Sequence, residues 1–451
     1  MAITPDEQKQ VSFLKTCVNG INALSGIGIL SIPYALSSGG WLSLILLFLI
    51  ATAAYFTSLL IRRCLDTNPH IRSYSDIAAH AFGSKGRVVA SVFTSLELYL
   101  VATGLLIMEE DNLHKLSPHF VLKLGSLTLD GRHSFVILAG LIIWPSMWLS
   151  DLGVMSYVSA TGILSSVIIV VCVFCAGVSG GAGFHGKGRL INMQGMPTAL
   201  SLYTFCYGAH AMFPAIYNSM RKKDQFSMVL LISFILCTIN YFCMALVGYL
   251  IYGQNVQSQV TLNLPVQEAS AKIAIYTILA GPVAKYALTI TPIATAIESC
   301  LPPKYQDSKP ISIIIRTSLL ISTVLLALLF PSFQSVTALS GAVLVVSVSF
   351  LLPCICYLKI FQVYRNWGVE LAGILIIILM AILVGTLGTY SSIAQAIKHT
   401  DISDISKRIS RVDDNHSNSI LICNCFNRFN INLPTFFWYK IKMAHFKLAE
   451  T

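Results

Sequence analysis

Between Phe13 and Ala394 the chain is a succession of about eleven apolar segments joined by polar connections. They fall near 13–36, 41–61, 88–108, 134–150, 154–178, 196–219, 227–252, 271–299, 311–330, 336–358 and 369–394. Each is close to the ~20 residues a helix needs to cross a bilayer. In lipid the backbone must bond to itself, so runs of this length are helices. The expected fold class is therefore all-α, a polytopic membrane protein with about eleven transmembrane helices. Charged residues are only 11% of the 451 and hydrophobic ones 55%, whereas a soluble domain carries about 25% charged residues.

The net charge is +10, but the basic residues form no single patch, so nucleic acid is not an expected partner. They follow topology instead. With a cytosolic N-terminus the inward face holds fifteen: Lys9, Lys15, Arg62, Arg63, Arg72, Lys85, Arg87, Arg221, Lys222, Lys223, Lys304, Lys309, Arg316, Lys359 and Arg365. The outward loops hold six: Lys115, Lys123, Arg132, Lys187, Arg189 and Lys272. The positive-inside rule favours that orientation. Three regions follow: a short cytosolic tail over 1–12, a transmembrane domain over 13–397 and an atypical C-terminal tail over 398–451. The tail is rich in Asn, Phe, Ile and Lys and reads as translated non-coding sequence. Asn415-His416-Ser417 fits a glycosylation acceptor if luminal. Ten of the twelve cysteines lie in or beside apolar segments and read as small apolar residues. No metal-ligand spacing, disulfide framework, cleavable leader or nucleotide-phosphate loop stands out, so no cofactor is expected.

The first apolar segment is poorly built for continuous helix. Ala23-Leu24-Ser25-Gly26-Ile27-Gly28 carries two glycines, and Pro33 follows. Each glycine costs about 1 kcal/mol against alanine inside a helix. A break at that depth is tolerated only where it lies inside protein or lines a cavity. Broken spans in corresponding positions of two inverted repeats are one way transporters hold polar substrates at the membrane midplane. A five-plus-five repeat pairs span six with span one. Span six carries Cys206-Tyr207-Gly208-Ala209-His210, then Pro214. The expectation is a 5+5 inverted repeat with discontinuous helices one and six.

Several phrases resemble the amino acid/auxin permease family, above all its vacuolar amino acid transporter branch. They are Asn19-Gly20-Ile21-Asn22, Gly26-Ile27-Gly28-Ile29-Leu30, Pro33-Tyr34-Ala35, Gly39-Gly40-Trp41, Ser73-Tyr74-Ser75-Asp76, Tyr207-Gly208-Ala209-His210 with Phe213-Pro214, and Lys285-Tyr286-Ala287-Leu288-Thr289 with Thr291-Pro292. The likeness covers about residues 12–397. Branch members usually carry a long cytosolic N-terminal region, and they end soon after the last span. This chain departs on both counts. The resemblance implies secondary active transport of amino acids across the vacuolar membrane, coupled to protons as antiport into the lumen or symport out of it. Expected partners are the amino acid, protons and the bilayer. A sensor with a transporter fold is the alternative, and an intramembrane enzyme is a weaker one, since no nucleophile accompanies His210 or Lys285.

A broken helix offers N–H groups to a carboxylate and C=O groups to an ammonium. The carboxylate is assigned to Ser25, Gly26, Ile27 and Gly28, with Asn22 supporting the break. The amine is assigned to the carbonyls of Phe205 and Cys206, beside Tyr207 and Gly208. Lys285 lies well inside span eight, where a charge is costly and signals function by default. In the fold implied by the resemblance that region can hold sodium against span one, and a lysine ammonium could replace it. The opposing reading is a lysine snorkelling or paired structurally. Thr289 and Thr291 lie near Lys285 along the helix and could hydrogen-bond across to span one. His210 titrates in the physiological range when unperturbed and is either a proton-linked group or a core histidine. Glu97 either pairs with a buried cation or borders a vestibule. Glu109, Glu110 and Asp111 are expected to face water.

Overall fold

A computed structural model describes residues 11–413 apart from 119, 121, 125, 126, 130, 149–151, 180–187, 307, 331 and 366. The C-terminal acceptor at Asn415 and most of the N-terminal tail lie outside the described residues. The chain divides into two compact units, Met1–Gln395 and Ala396–Thr451. In the second unit the description is helical backbone as far as Asp413.

The first unit is helical throughout its core. The first broken span is α1 (Phe13–Leu24), a 3-10 turn (Ile27–Ser31) and α2 (Ile32–Gly39), and its two halves are bent by 46°. Then come α3 (Ser43–Asp66), α4 (Tyr74–Leu116), a hairpin of β1 (Leu122–Leu124) and β2 (Leu127–Leu129), α5 (Gly131–Ile143) and α6 (Leu152–Ser179). The second broken span is α7 (Met196–Cys206), a 3-10 turn (His210–Met212) and α8 (Phe213–Ser219). The remainder is α9 (Phe226–Tyr252), α10 (Ala269–Ser299), the short α11 (Pro303–Gln306), α12 (Lys309–Leu329), α13 (Phe333–Leu339), α14 (Leu352–Phe361) and α15 (Val369–Asp413). Among the described residues six helices are long and apolar enough to cross a membrane, or seven when the bent pair at the N-terminus counts as one. The all-α membrane architecture is thus the observed one.

Local sequence explains the punctuation. Ser73 and Asp76 cap α4 reciprocally: Asp76 N–H donates to Ser73 Oγ at 3.2 Å, and Ser73 N–H to the Asp76 carboxylate at 3.0 Å. Gly83, at φ +70°, breaks the backbone inside α4. That left-handed value is cheap only for glycine, and it separates a short helix over 74–82 from the span that follows. Pro33 and Pro214 sit at the starts of α2 and α8, where the missing N–H costs nothing. Residues 340–351 wind as a π-helix between α13 and α14, which the apolar pattern of that segment did not anticipate.

The two broken spans are tied at one end. Val11 N–H donates to Ser219 O at 2.8 Å and Arg221 N–H to Val11 O at 3.1 Å, so the chain entering α1 pairs with the chain leaving α8. Both halves of the first span lean on α9. Gly20 of α1 packs on Ser233, and Gly248 packs on Pro33 of α2. On the other side of α1, the helices α4, α6 and α10 enclose the region of the first break.

Candidate substrate site

The first break is the floor of a cavity of about 270 Å³. Ser25, Gly26 and Ile27 line it from the break, Leu105 and Met108 from α4, Ser165, Ser166 and Ile169 from α6, and Ile278, Pro282 and Lys285 from α10. Ser25 is buried, and its Oγ makes no hydrogen bond among the described residues. A Cβ added to Gly26 would meet nothing nearer than 3.9 Å, so this glycine keeps the backbone open to the cavity. Ile27 begins the second half-helix, whose first N–H groups lack intrahelical acceptors.

Lys285 completes the floor. Its Nζ donates to Ser25 O at 2.9 Å, the carbonyl between the two half-helices. Pro282, one turn earlier, has no N–H and so cannot satisfy the Ile278 carbonyl within α10. The wall opposite is Gly162 of α6, where an added Cβ would fall 2.1 Å from Asn22 Oδ1 and 3.4 Å from Lys285 Cε. Asn22, Lys285 and Gly162 therefore meet at one point beside the break. The cavity is mostly apolar with a few convergent polar groups, the usual make-up of a small-molecule site.

A cavity on a broken membrane helix suits many solutes, and the sequence comparison decides the family. Residues 9–397 match the family described as transmembrane amino acid transporter protein. The chain belongs to that family. Among curated relatives it is 49% identical to amino acid transporter AVT1I of Arabidopsis thaliana over 395 residues, covering 88% of this chain and 98% of that one. It is 46% identical to amino acid transporter AVT1J of the same plant over 387 residues, covering 86% and 92%. A solved structure of a Na⁺-coupled sialic acid symporter, substrate-bound and outward-open, aligns with a TM-score of 0.50 at 16% identity over 87% of this chain and 90% of that one. At that identity the likeness is one of fold.

In this member of the transmembrane amino acid transporter family, the second break does not line the cavity. Phe205, Cys206, Tyr207 and Gly208 are packed instead. A Cβ on Gly28 would lie 2.8 Å from Cys206 Sγ, so Gly28 brings the two breaks into contact and is not itself a lining residue. A Cβ on Gly208 would lie 2.8 Å from Val345 and 3.1 Å from Glu97 Oε1. Glu97 is buried, and its Oε2 makes no hydrogen bond among the described residues. It sits at the second break, away from Lys285.

His210 is fully buried, with Nε2 at 3.0 Å from Ala54 O, 2.9 Å from Thr57 Oγ1 and 3.1 Å from Ser58 Oγ. Both hydroxyls donate to carbonyls of their own helix, so Nε2 carries the ring proton and donates to α3. That is the geometry of a core histidine stapling the second break to α3. Thr289 and Thr291 do not reach span one. Each donates to the carbonyl four residues earlier, Lys285 O at 2.9 Å and Ala287 O at 2.7 Å, because that acceptor is nearest for a threonine in a helix.

The acidic run at the end of α4 is also different from the expectation. Glu109 and Glu110 are buried, and Glu110 pairs with Arg132 at 2.9 Å. Asp111 lies 3.5 Å from Arg132 and accepts from Gln259 Nε2 at 2.7 Å. Arg132 thus ties α5 to that end of α4, while Gln259 on Asp111 and Lys115 Nζ on Thr261 O at 2.8 Å fasten the segment between α9 and α10 over it.

Sequence reading passed over three residues of the site. Gly162 is one small residue of α6 among Ser159, Thr161, Ser165 and Ser166, with nothing local to single it out. Tyr241 and Thr238 lie in α9, whose sequence is otherwise a plain span. The available signal was the spacing of Cys237, Thr238 and Tyr241, which places three hydrogen-bonding side chains on one helix stripe.

Proposed function

We propose that this protein is a secondary transporter that moves amino acids across the vacuolar membrane, driven by protons. The observation that carries the reading is Lys285 Nζ on Ser25 O beside a cavity floored by Ser25, Gly26 and Ile27. A fixed ammonium at a helix break supplies the positive charge that a bound cation would otherwise bring. It also places positive potential beside free N–H groups, the pairing a substrate carboxylate needs. The carboxylate meets Ser25 Oγ and the Ile27 N–H, with Gly26 keeping the approach open and Asn22 bracing the break. The ammonium is taken by the carbonyls of Phe205 and Cys206 when the second break opens beside Tyr207 and Gly208.

In this reading the chain crosses the membrane eleven times as a 5+5 inverted repeat, with the N-terminus in the cytosol. Lys285, Glu97, His210 and Thr289 are the coupling candidates, and the geometry favours Lys285 and Glu97, the two not tied into helix-stabilising bonds. One pH unit supplies about 1.4 kcal/mol per proton, a tenfold gradient at one-to-one coupling. Membrane potential adds about 2.3 kcal/mol per charge per 100 mV.

Headgroup recognition is tested by thermal shift of the purified protein in nanodiscs. L-alanine should raise the melting temperature, whereas propionate and alanine amide, each lacking one charge of the headgroup, should not. Equal shifts with all three would remove the headgroup assignment.

A further inference from the structure

Both breaks end on the same side chain. Leu24 is the last residue of α1 and Cys206 the last of α7, so each carbonyl has lost its intrahelical partner. The hydroxyl of Tyr241, on α9, lies 2.5 Å from Leu24 O and 3.1 Å from Cys206 O. A phenol has one proton to give. It can donate to one of these carbonyls at a time, while the other faces the oxygen without a hydrogen bond from it. Leu24 O also accepts Gly26 N–H at 2.7 Å, so Cys206 O is the poorer supplied of the two.

The ring has no freedom to leave. Tyr241 is fully buried, and it meets Tyr207 edge-on with centroids 5.6 Å apart. Tyr207 Oη is itself 2.9 Å from Thr238 Oγ1, on the same stripe of α9. The hydroxyl is therefore held between the two half-helix ends, and Leu24 is the neighbour of Ser25, whose carbonyl holds Lys285. One continuous line of polar contacts runs from Lys285 through the first break to Tyr241 and on to the second break.

We propose that Tyr241 is the positioning residue that joins the two breaks, its hydroxyl standing at Cys206 O in place of the substrate ammonium. This rests on the proposed reading of Cys206 O as part of the amine site. An arriving ammonium, with three donors, takes Cys206 O, and the phenol proton goes wholly to Leu24 O. No covalent bond changes. The hydrogen bond that Tyr241 gives up at one break it gains at the other, so occupancy at the second break is felt at the first, one residue from the lysine contact. Tyr241 thus competes weakly with substrate for Cys206 O while holding the two broken spans in register for the transport step.

The competition gives a signature that a merely structural tyrosine lacks. Tyr241→Phe keeps the ring and deletes the hydroxyl. The purified variant should bind L-alanine about two- to tenfold tighter, the range to which a net hydrogen-bond contribution corresponds. Its turnover in proteoliposomes should fall about tenfold, because the breaks are no longer joined. Affinity for propionate, which has no ammonium, should not change. Ile239→Val, on the exposed face of α9 and touching neither carbonyl, should leave L-alanine affinity at the wild-type value. Should Tyr241→Phe fail to fold, Tyr241→Met removes the same hydroxyl with a flexible chain and carries the same expectation.

Unchanged or weaker L-alanine binding by the variant overturns the role of Tyr241. If wild-type protein does not prefer L-alanine to propionate, the amine site itself is wrong, and this inference falls with it. A wild type that does prefer L-alanine, beside an unshifted variant, removes the inference alone.

Discussion

Replacing Lys285 with methionine is the sharpest single perturbation of the site. Methionine keeps an unbranched chain of similar length and removes the ammonium. What is lost is a charge-assisted hydrogen bond of 2.9 Å to Ser25 O. Bonds of that type contribute about 1.5–3 kcal/mol, or about 10- to 150-fold in the population of the arrangement they hold. Ser25 is buried, so water does not readily replace the lysine. Initial uptake of labelled amino acid into vesicles should therefore fall about ten- to hundredfold at equal protein in the membrane. Lys285→Arg should recover only part of the loss, because a planar guanidinium does not place a compact charge on one carbonyl. Uptake by Lys285→Met within about twofold of wild type would refute the reasoning and return Lys285 to a structural role.

Gly162→Ala introduces a Cβ 2.1 Å from Asn22 Oδ1, which must push the Asn22 side chain out of its place beside Lys285 and the break. Uptake should be abolished while membrane insertion, followed by immunoblot, is retained; wild-type uptake would mean that α6 does not pack against the break. His210→Leu loses the ring donor to α3, which should lower the melting temperature in detergent by a few degrees, equivalent to about 1–2 kcal/mol. The response of uptake to an imposed pH gradient should survive in that variant, and its disappearance would restore His210 as the coupling group. Deleting residues 401–451 should leave uptake intact, and loss of uptake by a correctly inserted truncation would make the tail part of the transporter.

The architecture could be read from the chain because lipid enforces it. Apolar runs of bilayer length leave few choices, and Gly26 with Pro33, or Gly208 with Pro214, mark where helix cannot continue. Lys285 was visible for the same reason: a charge midway along Ala269–Ser299 needs a partner, and the structure supplies Ser25 O. The roles of individual glycines were not visible. Gly26 faces the cavity, whereas Gly28 and Gly208 close packing against Cys206 and Val345, and nothing local separates the two uses. Side chains that act across helices were hidden as well. Tyr241 reads as one more aromatic in an apolar helix until α1 and α7 are brought to either side of its hydroxyl. Glu109, Glu110 and Asp111 read as a solvated run because Arg132, the partner of Glu110 and Asp111, lies beyond the hairpin in sequence.

Proton-driven movement of amino acids is the central claim, and uptake into vacuolar membrane vesicles tests it most directly. Labelled amino acids are supplied with an imposed pH gradient, acid inside, and the gradient is then collapsed with an uncoupler. The account predicts that amino acid flux follows the gradient and stops responding once it is dissipated. Flux that is the same with the gradient, without it and after the uncoupler would contradict it.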